Sequence, residues 1–371
     1  MKVLVLWANP EGNANLGVSV LAEGAAVVAR RALGADTNIT FQEFASASDG
    51  GGLTRKMFIK DVLRFGWGPI ASRLQNFDLI LDTGAGDSFT DHYGISRLSQ
   101  IVYTQKTAKR VGVPLVMMPQ TIGPFNTRMG RLLGRGGLSA ASAVFTRDSE
   151  SFRSARRLGF DAGAGYTDVV FALPVPPVSD KRYDILLNIS GLLGASDAHL
   201  SSTTYRSVVR SLISELIAAG RRVTLLAHVV GPEIQSDDWG DNDVPAVRAF
   251  AREFGGRVDV AIPKSLDEVR LMAREAQLVI GSRMHACLNS ISVGTPAIAL
   301  AYSRKFAPLM NDLGWKYSVD LRQDSDPTKT VMRWITEIPE AQWRAELAAV
   351  RTAAEARTDL MVHSLRGVVD A

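Results

Sequence analysis

The sequence predicts an α/β protein of two doubly wound, Rossmann-like domains facing across a cleft. Three observations predict it. Short apolar runs alternate with helix-length amphipathic segments along most of the 371 residues, the pattern of parallel strands covered on both faces by helices. The proline-rich stretch Leu173-Pro174-Val175-Pro176-Pro177 interrupts that alternation near the middle, where neither a strand nor a helix can continue. The alternation then restarts, and the length suits two ordinary domains.

In chain order, the apolar run at 3–7 reads as the first strand and the Ala/Val/Leu-rich segment 17–33 as the helix after it. Strands follow at 38–41, 78–81, 115–118 and 143–146, with helices at 95–111 and 150–158. Beyond the proline stretch, strands fit at 184–189, 222–227, 258–261, 278–280 and 297–301. Helices fit at 203–219, 244–254, 266–276 and 284–292. An amphipathic closing helix at about 340–367 has the length to pack back on the first domain. The expected units are 1–175, 176–335 and the closing segment 336–371. Ligands of open α/β sheets bind beyond the carboxyl ends of the strands, so the loops after strands should hold the chemistry.

Composition narrows the classes. A hydrophobic share of 46% with 22% charged residues describes a globular chain. No stretch of about 18 uncharged apolar residues marks a membrane span. The first apolar run breaks off after five residues, too short for the core of a signal peptide. The one cysteine, Cys287, allows neither an intramolecular disulfide nor a cysteine metal site and reads as a buried thiol. A cytoplasmic location, peripheral at the inner face of the membrane, is the expectation. The net charge of +4 is too mild to imply nucleic acid. Seven arginines nevertheless lie between 128 and 157; they read as a solvated helix face or as a surface for anionic substrates or anionic lipid head groups.

The segment Leu278 to Ser303 carries the most information. An apolar run stops at Gly281, Ser282 can cap the next helix, and Arg283, Met284 and His285 open it. Helix N-termini offer N–H groups to anions. Arg283 adds a fork for phosphate or carboxylate, and His285 can exchange a proton near neutral pH. The same pattern would also suit a histidine satisfied near a helix start. In the first domain, Gly12 to Gly17, with Asn15 between them, can cradle an anion or simply turn the chain. Asp82 to Ser88, including Gly86 and Asp87, follows the third strand, with Asp91 and His92 just beyond. Arg147 follows the fifth strand, a poor place for a cation without an anionic partner. His228 follows the strand at 222–227, and Trp239 with Asp237 and Asp238 lies in the loop beyond it, where a sugar could stack on the indole. Nucleotide fingerprints fail: Phe89 stands where a dinucleotide motif after Gly84 and Gly86 needs its third glycine, and no Walker-type lysine motif occurs.

Three segments, Val144 to Ser151, Gln120 to Pro124 and Gly281-Ser282-Arg283-Met284-His285, occur in the order seen in polysaccharide pyruvyl transferases, which this chain resembles. The resemblance runs from the first strand to about residue 315. It implies a glycosyltransferase-B-like fold and transfer of pyruvate, as a ketal, from phosphoenolpyruvate to two hydroxyls of a saccharide or lipid-linked saccharide. It further implies that Arg283 and His285 take the donor phosphate, flanked by Ser282 and Met284, and that Arg147 reaches the donor from the first domain. Asn15, Gly17, Gly86 and His92 are the further substrate-binding candidates, with His285 and Asp87 as the catalytic pair and Asp87 on the acceptor side. No cofactor and no metal are expected, and the partners beyond the substrates are an anionic membrane surface and a second copy of the chain. One departure stands out: many members carry an aspartate after the glycine of the first loop, where this chain has Val18. A nucleotide-sugar glycosyltransferase on the same scaffold and a non-catalytic relative that binds an anionic ligand are the alternatives.

Overall fold

The computed structural model describes residues 1–11, 14–44, 53–177, 180–231, 239–303 and 306–370. The chain divides into two compact units. The first comprises 1–12, 18–173 and 354–371, and the second 13–17 and 174–353.

The first unit holds, in chain order, β1 (Lys2–Leu6), α1 (Leu16–Leu33), β2 (Asn38–Gln42), α2 (Arg55–Leu63), α3 (Pro69–Leu74) and β3 (Leu79–Asp82). α4 (Ile95–Arg110), β4 (Leu115–Gln120), α5 (Arg128–Leu138), β5 (Ala143–Thr146) and α6 (Ser149–Arg157) complete the alternation. Its five strands are parallel in the order β2-β1-β3-β4-β5. Both faces of the central strands are covered, which is why they read as unbroken apolar runs. One face packs under α2 to α6 through Phe58, Ile70, Leu98, Leu138 and Ala155. The other packs under α1 and the chain's last helix through Leu21, Ala25, Met361 and Leu365.

The second unit contains β6 (Tyr183–Asn188), α7 (Gly191–Ala195), α8 (Ser202–Ala218), β7 (Val223–Leu226), α9 (Asp243–Phe254), β8 (Asp259–Ala261) and α10 (Leu266–Arg274). It continues with β9 (Ala276–Gly281), α11 (Met284–Ser292), β10 (Ala297–Ala301), α12 (Phe306–Asp312), β11 (Ser318–Asp320), α13 (Pro327–Glu337) and α14 (Glu340–Asp370). Its six parallel strands run β11-β10-β9-β6-β7-β8. The order reverses between β6 and β9, so the loops after those two strands diverge. Such a switch point opens a crevice at the carboxyl edge of the sheet.

Two boundaries differ from the sequence reading. Residues 13–17 group with the second unit, because Leu16 N–H donates to His228 O (3.3 Å) and Val230 N–H donates to Ala14 O. The closing helix is also not wholly a first-unit element, as its part up to 353 belongs to the second. There Trp343 packs on Tyr317 at 4.1 Å between ring centroids.

Candidate functional site

At the switch point of the second unit, a single buried carboxylate ties three strand ends together. Asp243, the first residue of α9, is fully buried. Its Oδ1 accepts from Gly191 N after β6 (2.8 Å), and its Oδ2 accepts from His228 N and Val229 N after β7 (3.0 and 2.9 Å). The Oδ1 also takes Arg283 Nε and Nη2 (3.2 and 2.7 Å) from the loop after β9. A carboxylate saturated by N–H donors and a guanidinium can be buried without an uncompensated charge. Arg283 is thereby held by its inner edge. Its Nη1 faces a second carboxylate, Asp241, at 2.7 Å, whose side chain is 58% exposed. Burial alone would lower Arg283's proton affinity, but the two aspartates outweigh it and raise it above the ordinary range.

Arg283 is itself the N-cap of α11 and makes no side-chain cap bond. Ser282 is therefore not the expected cap. Its Oγ instead accepts from the Tyr205 hydroxyl (2.9 Å), which in turn accepts from Ser190 N (2.8 Å). This buried pair fixes the β6 and β9 ends against each other, and Asn188 Oδ1 accepts from Arg283 N (2.8 Å) at the start of α11. Met284 is buried at that turn, and His285 is half-buried beside it. Asn15 and Gly17 come to the same place. Asn15 Oδ1 accepts from Gly17 N (2.9 Å), and a Cβ on Gly17 would stand 2.7 Å from His285 Nδ1. The remainder of that expected loop, Gly12 and Asn13, lies outside the described residues.

His228 lies behind this turn, fully buried. Asn289 takes Arg270 Nη1 on its Oδ1 (3.0 Å), so its amide N–H₂ faces His228 Nε2 at 3.2 Å. His228 must accept there, which makes it a neutral Nδ1–H tautomer. Burial, then the positive neighbours His285 and Arg283, push it down to about 3. Cys287 is fully buried, its Sγ against Gly281 O at 3.4 Å, and burial pushes the thiol up to about 12. It is a packing residue. Trp239 is also buried, with the Arg206 guanidinium 4.1 Å above its ring, so its face is not open to a sugar. Asp237 and Asp238 lie outside the described residues.

In the first unit the loop after β3 is tightly built. Asp82 Oδ1 accepts from Gly84 N (2.9 Å) and Oδ2 from Gln105 Nε2 (2.7 Å). Burial raises its carboxyl to about 6 despite these bonds. Gly86 is buried with φ +84°, where a side chain would be strained, and its carbonyl accepts from Thr121 N (2.9 Å). Asp87 is half-buried and accepts from the Tyr93 hydroxyl (2.8 Å). His92 is exposed, edge-on to Tyr93 at 5.3 Å. Asp91 fastens the start of α5, accepting from Asn126 N (3.0 Å) and Thr127 N (2.7 Å). Arg147 departs from the picture of a cation extended toward a donor. Its side chain is fully buried, Nη1 lies 3.3 Å from buried Asp168, and Nη2 bonds the Thr121 hydroxyl.

Asp243 and Asp168, the carboxylates that hold the two arginines, were missed from sequence. Each stands one residue from or at a helix start, where an aspartate reads as an ordinary cap. Only a pairing with an arginine far along the chain could have singled them out.

A sequence model of the polysaccharide pyruvyl transferases matches residues 30–304. The amylovoran biosynthesis protein AmsJ of Erwinia amylovora is 22% identical over 286 residues, 71% of this chain. The chain spans 65% of that relative's length. Among solved structures, the UDP-GlcNAc 2-epimerase of Neisseria meningitidis bound to UDP-GlcNAc has a TM-score of 0.57 at 12% identity, covering 98% of this chain and 99% of its own. The UDP-GlcNAc 2-epimerase of Methanocaldococcus jannaschii has a TM-score of 0.56 at 10% identity, covering 97% and 99%. At such identities the likeness is one of fold: two parallel-sheet α/β domains of the glycosyltransferase-B kind.

Proposed function

Since the chain belongs to the polysaccharide pyruvyl transferase family, we propose that it transfers pyruvate, as a ketal, from phosphoenolpyruvate to a sugar of a cell-surface polysaccharide or glycolipid. The observation that carries this reading is the turn Arg283 to His285 at the switch point of the second sheet. It offers a compact anion site: the uncapped first turn of α11, a half-buried imidazole and one guanidinium edge. A phosphate entering there would replace the exposed Asp241 on Arg283 Nη1. The inner edge, fixed by buried Asp243, would stay in place.

Protonation of C3 of phosphoenolpyruvate makes the methyl group and leaves a cationic centre at C2. One sugar hydroxyl adds to C2, phosphate departs with the C2–O bond, and the second hydroxyl closes the ketal. Of the two hydroxyl protons, one balances the proton gained at C3 and the other leaves with phosphate. Charge develops on the departing phosphate, where Arg283 and the α11 N–H groups act, and His285 is placed to exchange a proton with it. Asp87, half-buried and oriented by Tyr93, is our candidate carboxylate for the acceptor hydroxyls.

The test is inorganic phosphate release from phosphoenolpyruvate with a vicinal or 4,6-diol saccharide, alongside thermal shift with phosphoenolpyruvate and with sugar nucleotides. A ligand of the folded state raises the midpoint by mass action. Loss of at least about tenfold in turnover is expected for both Arg283→Ala and His285→Ala. Stabilisation by sugar nucleotides alone, or phosphate release unchanged in both variants, would overturn the proposal.

A further inference from the structure

A different surface of the first unit has no part in this site. α2 and the turn that follows it expose Ile59, Val62, Leu63, Phe65 and Trp67, at 52%, 59%, 74%, 92% and 56%. Five large apolar side chains left in water within nine residues far exceed the scattered exposure normal for a surface. Three of them, Ile59, Val62 and Leu63, line a groove of ≈ 360 Å³ together with Arg55, Phe58 and Tyr103.

The turn is built, not frayed. Phe65 sits in the left-handed region at φ +52°, a conformation that costs energy for an aromatic residue. Asp61, fully buried, holds the turn from inside: its backbone carbonyl accepts from Gly66 N (2.7 Å) and its Oδ1 from Ile70 N (2.9 Å). Its Oδ2 accepts from the Tyr103 hydroxyl (2.8 Å). Arg110 Nη2 donates to Gly66 O (2.7 Å). A Cβ on Gly68 would stand 2.5 Å from Asp61 Cα, so the chain needs glycine there. The fold thus fixes a strained turn whose two aromatic side chains touch mainly solvent.

Charge identifies the partner. The helices on this side of the sheet carry three lysines and arginines on α2, one on α3, four on α4 and three on α5. The one carboxylate on these four helices is the buried Asp61, and α6 beside them adds Arg153, Arg156 and Arg157 against the single Glu150. Arg64 adds a cation beside Phe65. We propose that this face docks on an anionic phospholipid bilayer, with Leu63, Phe65 and Trp67 entering the head-group layer and the surrounding cations on lipid phosphates. Apolar and aromatic tips ringed by lysine and arginine suit an interfacial position. A second copy of the chain fits poorly, since a two-fold contact through this face would bring two cationic surfaces together. Among the described residues no helix is long and apolar enough to cross a membrane, so the contact is peripheral. It stands independently of the donor reading above.

Co-sedimentation of the full chain with vesicles tests it. Binding is expected to phosphatidylcholine vesicles containing phosphatidylglycerol, weakening as salt rises, and not to phosphatidylcholine alone. The triple variant Lys56→Glu, Lys60→Glu, Arg64→Glu should lower partitioning by at least about a hundredfold. The pair Phe65→Ser, Trp67→Ser should lower it by at least about tenfold. Both variants should keep the wild-type thermal midpoint, because the replaced side chains face solvent. Trp67→Phe should remove a vesicle-induced blue shift in tryptophan emission. Absence of binding at low salt, or binding unchanged in both multiple variants, would overturn the proposal. So would a solution dimer that Phe65→Ser dissociates, which would assign the face to a second copy.

Discussion

Gly17 lies directly against His285, so that a methyl group at position 17 would stand 2.7 Å from the imidazole Nδ1. Position 17 is the second residue of α1, and its φ is not in the left-handed region that would demand glycine. Helix propensity therefore favours alanine there by up to about 1 kcal/mol, whereas the imidazole contact opposes it. Gly17→Ala is expected to lower phosphate release from phosphoenolpyruvate at least about tenfold, through displacement of His285. Its thermal midpoint should change little, since a ring that moves aside relieves the contact. A variant with wild-type turnover would show that the position of the ring is not needed.

Asp243 and Asp241 both face Arg283 but should behave oppositely. Asp243 is buried and holds backbone N–H groups from two loops besides the guanidinium. Asp243→Asn leaves a buried cation short of its counter-charge and should destabilise the fold by about 3 kcal/mol or more. Asp241 is mostly exposed, and exposed pairs contribute at most about 1 kcal/mol. Asp241→Asn should leave stability nearly unchanged and tighten binding of inorganic phosphate, because the carboxylate that competes for Arg283 Nη1 is gone. Denaturant unfolding and phosphate titration separate the two. Equal stability losses would show that Asp241 is structural.

Arg147 and Asp168 form a second ion pair, both fully buried in the first unit. Removing Arg147 leaves Asp168 without its cation, and removing Asp168 leaves Arg147 only the more distant Asp148, whose Oδ2 lies 3.7 Å from its Nε. Arg147→Ala and Asp168→Asn should each cost about 3–5 kcal/mol, measured by denaturant unfolding. Replacing both by neutral residues should cost less than the sum, as expected when two groups share one interaction. Strict additivity would show that the pair is not coupled.

The alternation of strands and helices, the break after Leu173 and the turn at Gly281 to His285 were all legible, because each is written in local periodicity and glycine or proline placement. α5 was not. Its eleven residues include Gly130, Gly134, Gly136 and Gly137, a composition that argues against a helix. Packing overrides it: a Cβ on Gly134 would meet the Phe125 ring at 2.8 Å, and one on Gly137 would meet Phe89 at 2.9 Å. The candidate site was legible as residue types and illegible as charge balance. Arg283 reads in the sequence as a cation suited to an anion, but Asp243 lies forty residues upstream and Asp241 beside it. Their convergence is a property of three strand ends meeting, which no local pattern records. The acid-base state of His228 was hidden for the same reason, being set by Asn289 and Arg270 from another helix pair.

Two buried groups make opposite contributions to the pH dependence of stability. His228 has its proton affinity pushed down from 6.5 to about 3 in the folded chain. The unfolded chain therefore takes up a proton as pH falls below about 6.5 while the folded chain does not. The stability His228 contributes is present above 6.5 and is lost as pH falls toward 3, by up to about 5 kcal/mol. Asp82 is shifted the other way, from 3.8 up to about 6. Its contribution is present below 3.8 and is lost as pH rises through 6, by about 3 kcal/mol. His228→Gln, which keeps an acceptor for Asn289 but cannot titrate, should flatten the acid-side loss between 6.5 and 3. Asp82→Asn should steepen it between 6 and 3.8, because the offsetting gain is gone. Both variants need denaturant unfolding at intervals across this range, with the slope and not the absolute stability as the readout. If the two substitutions changed the slope in the same direction, at least one of these buried groups would have to be shifted the opposite way in the folded chain; a substitution without effect on the slope would mean that its group titrates near its ordinary value.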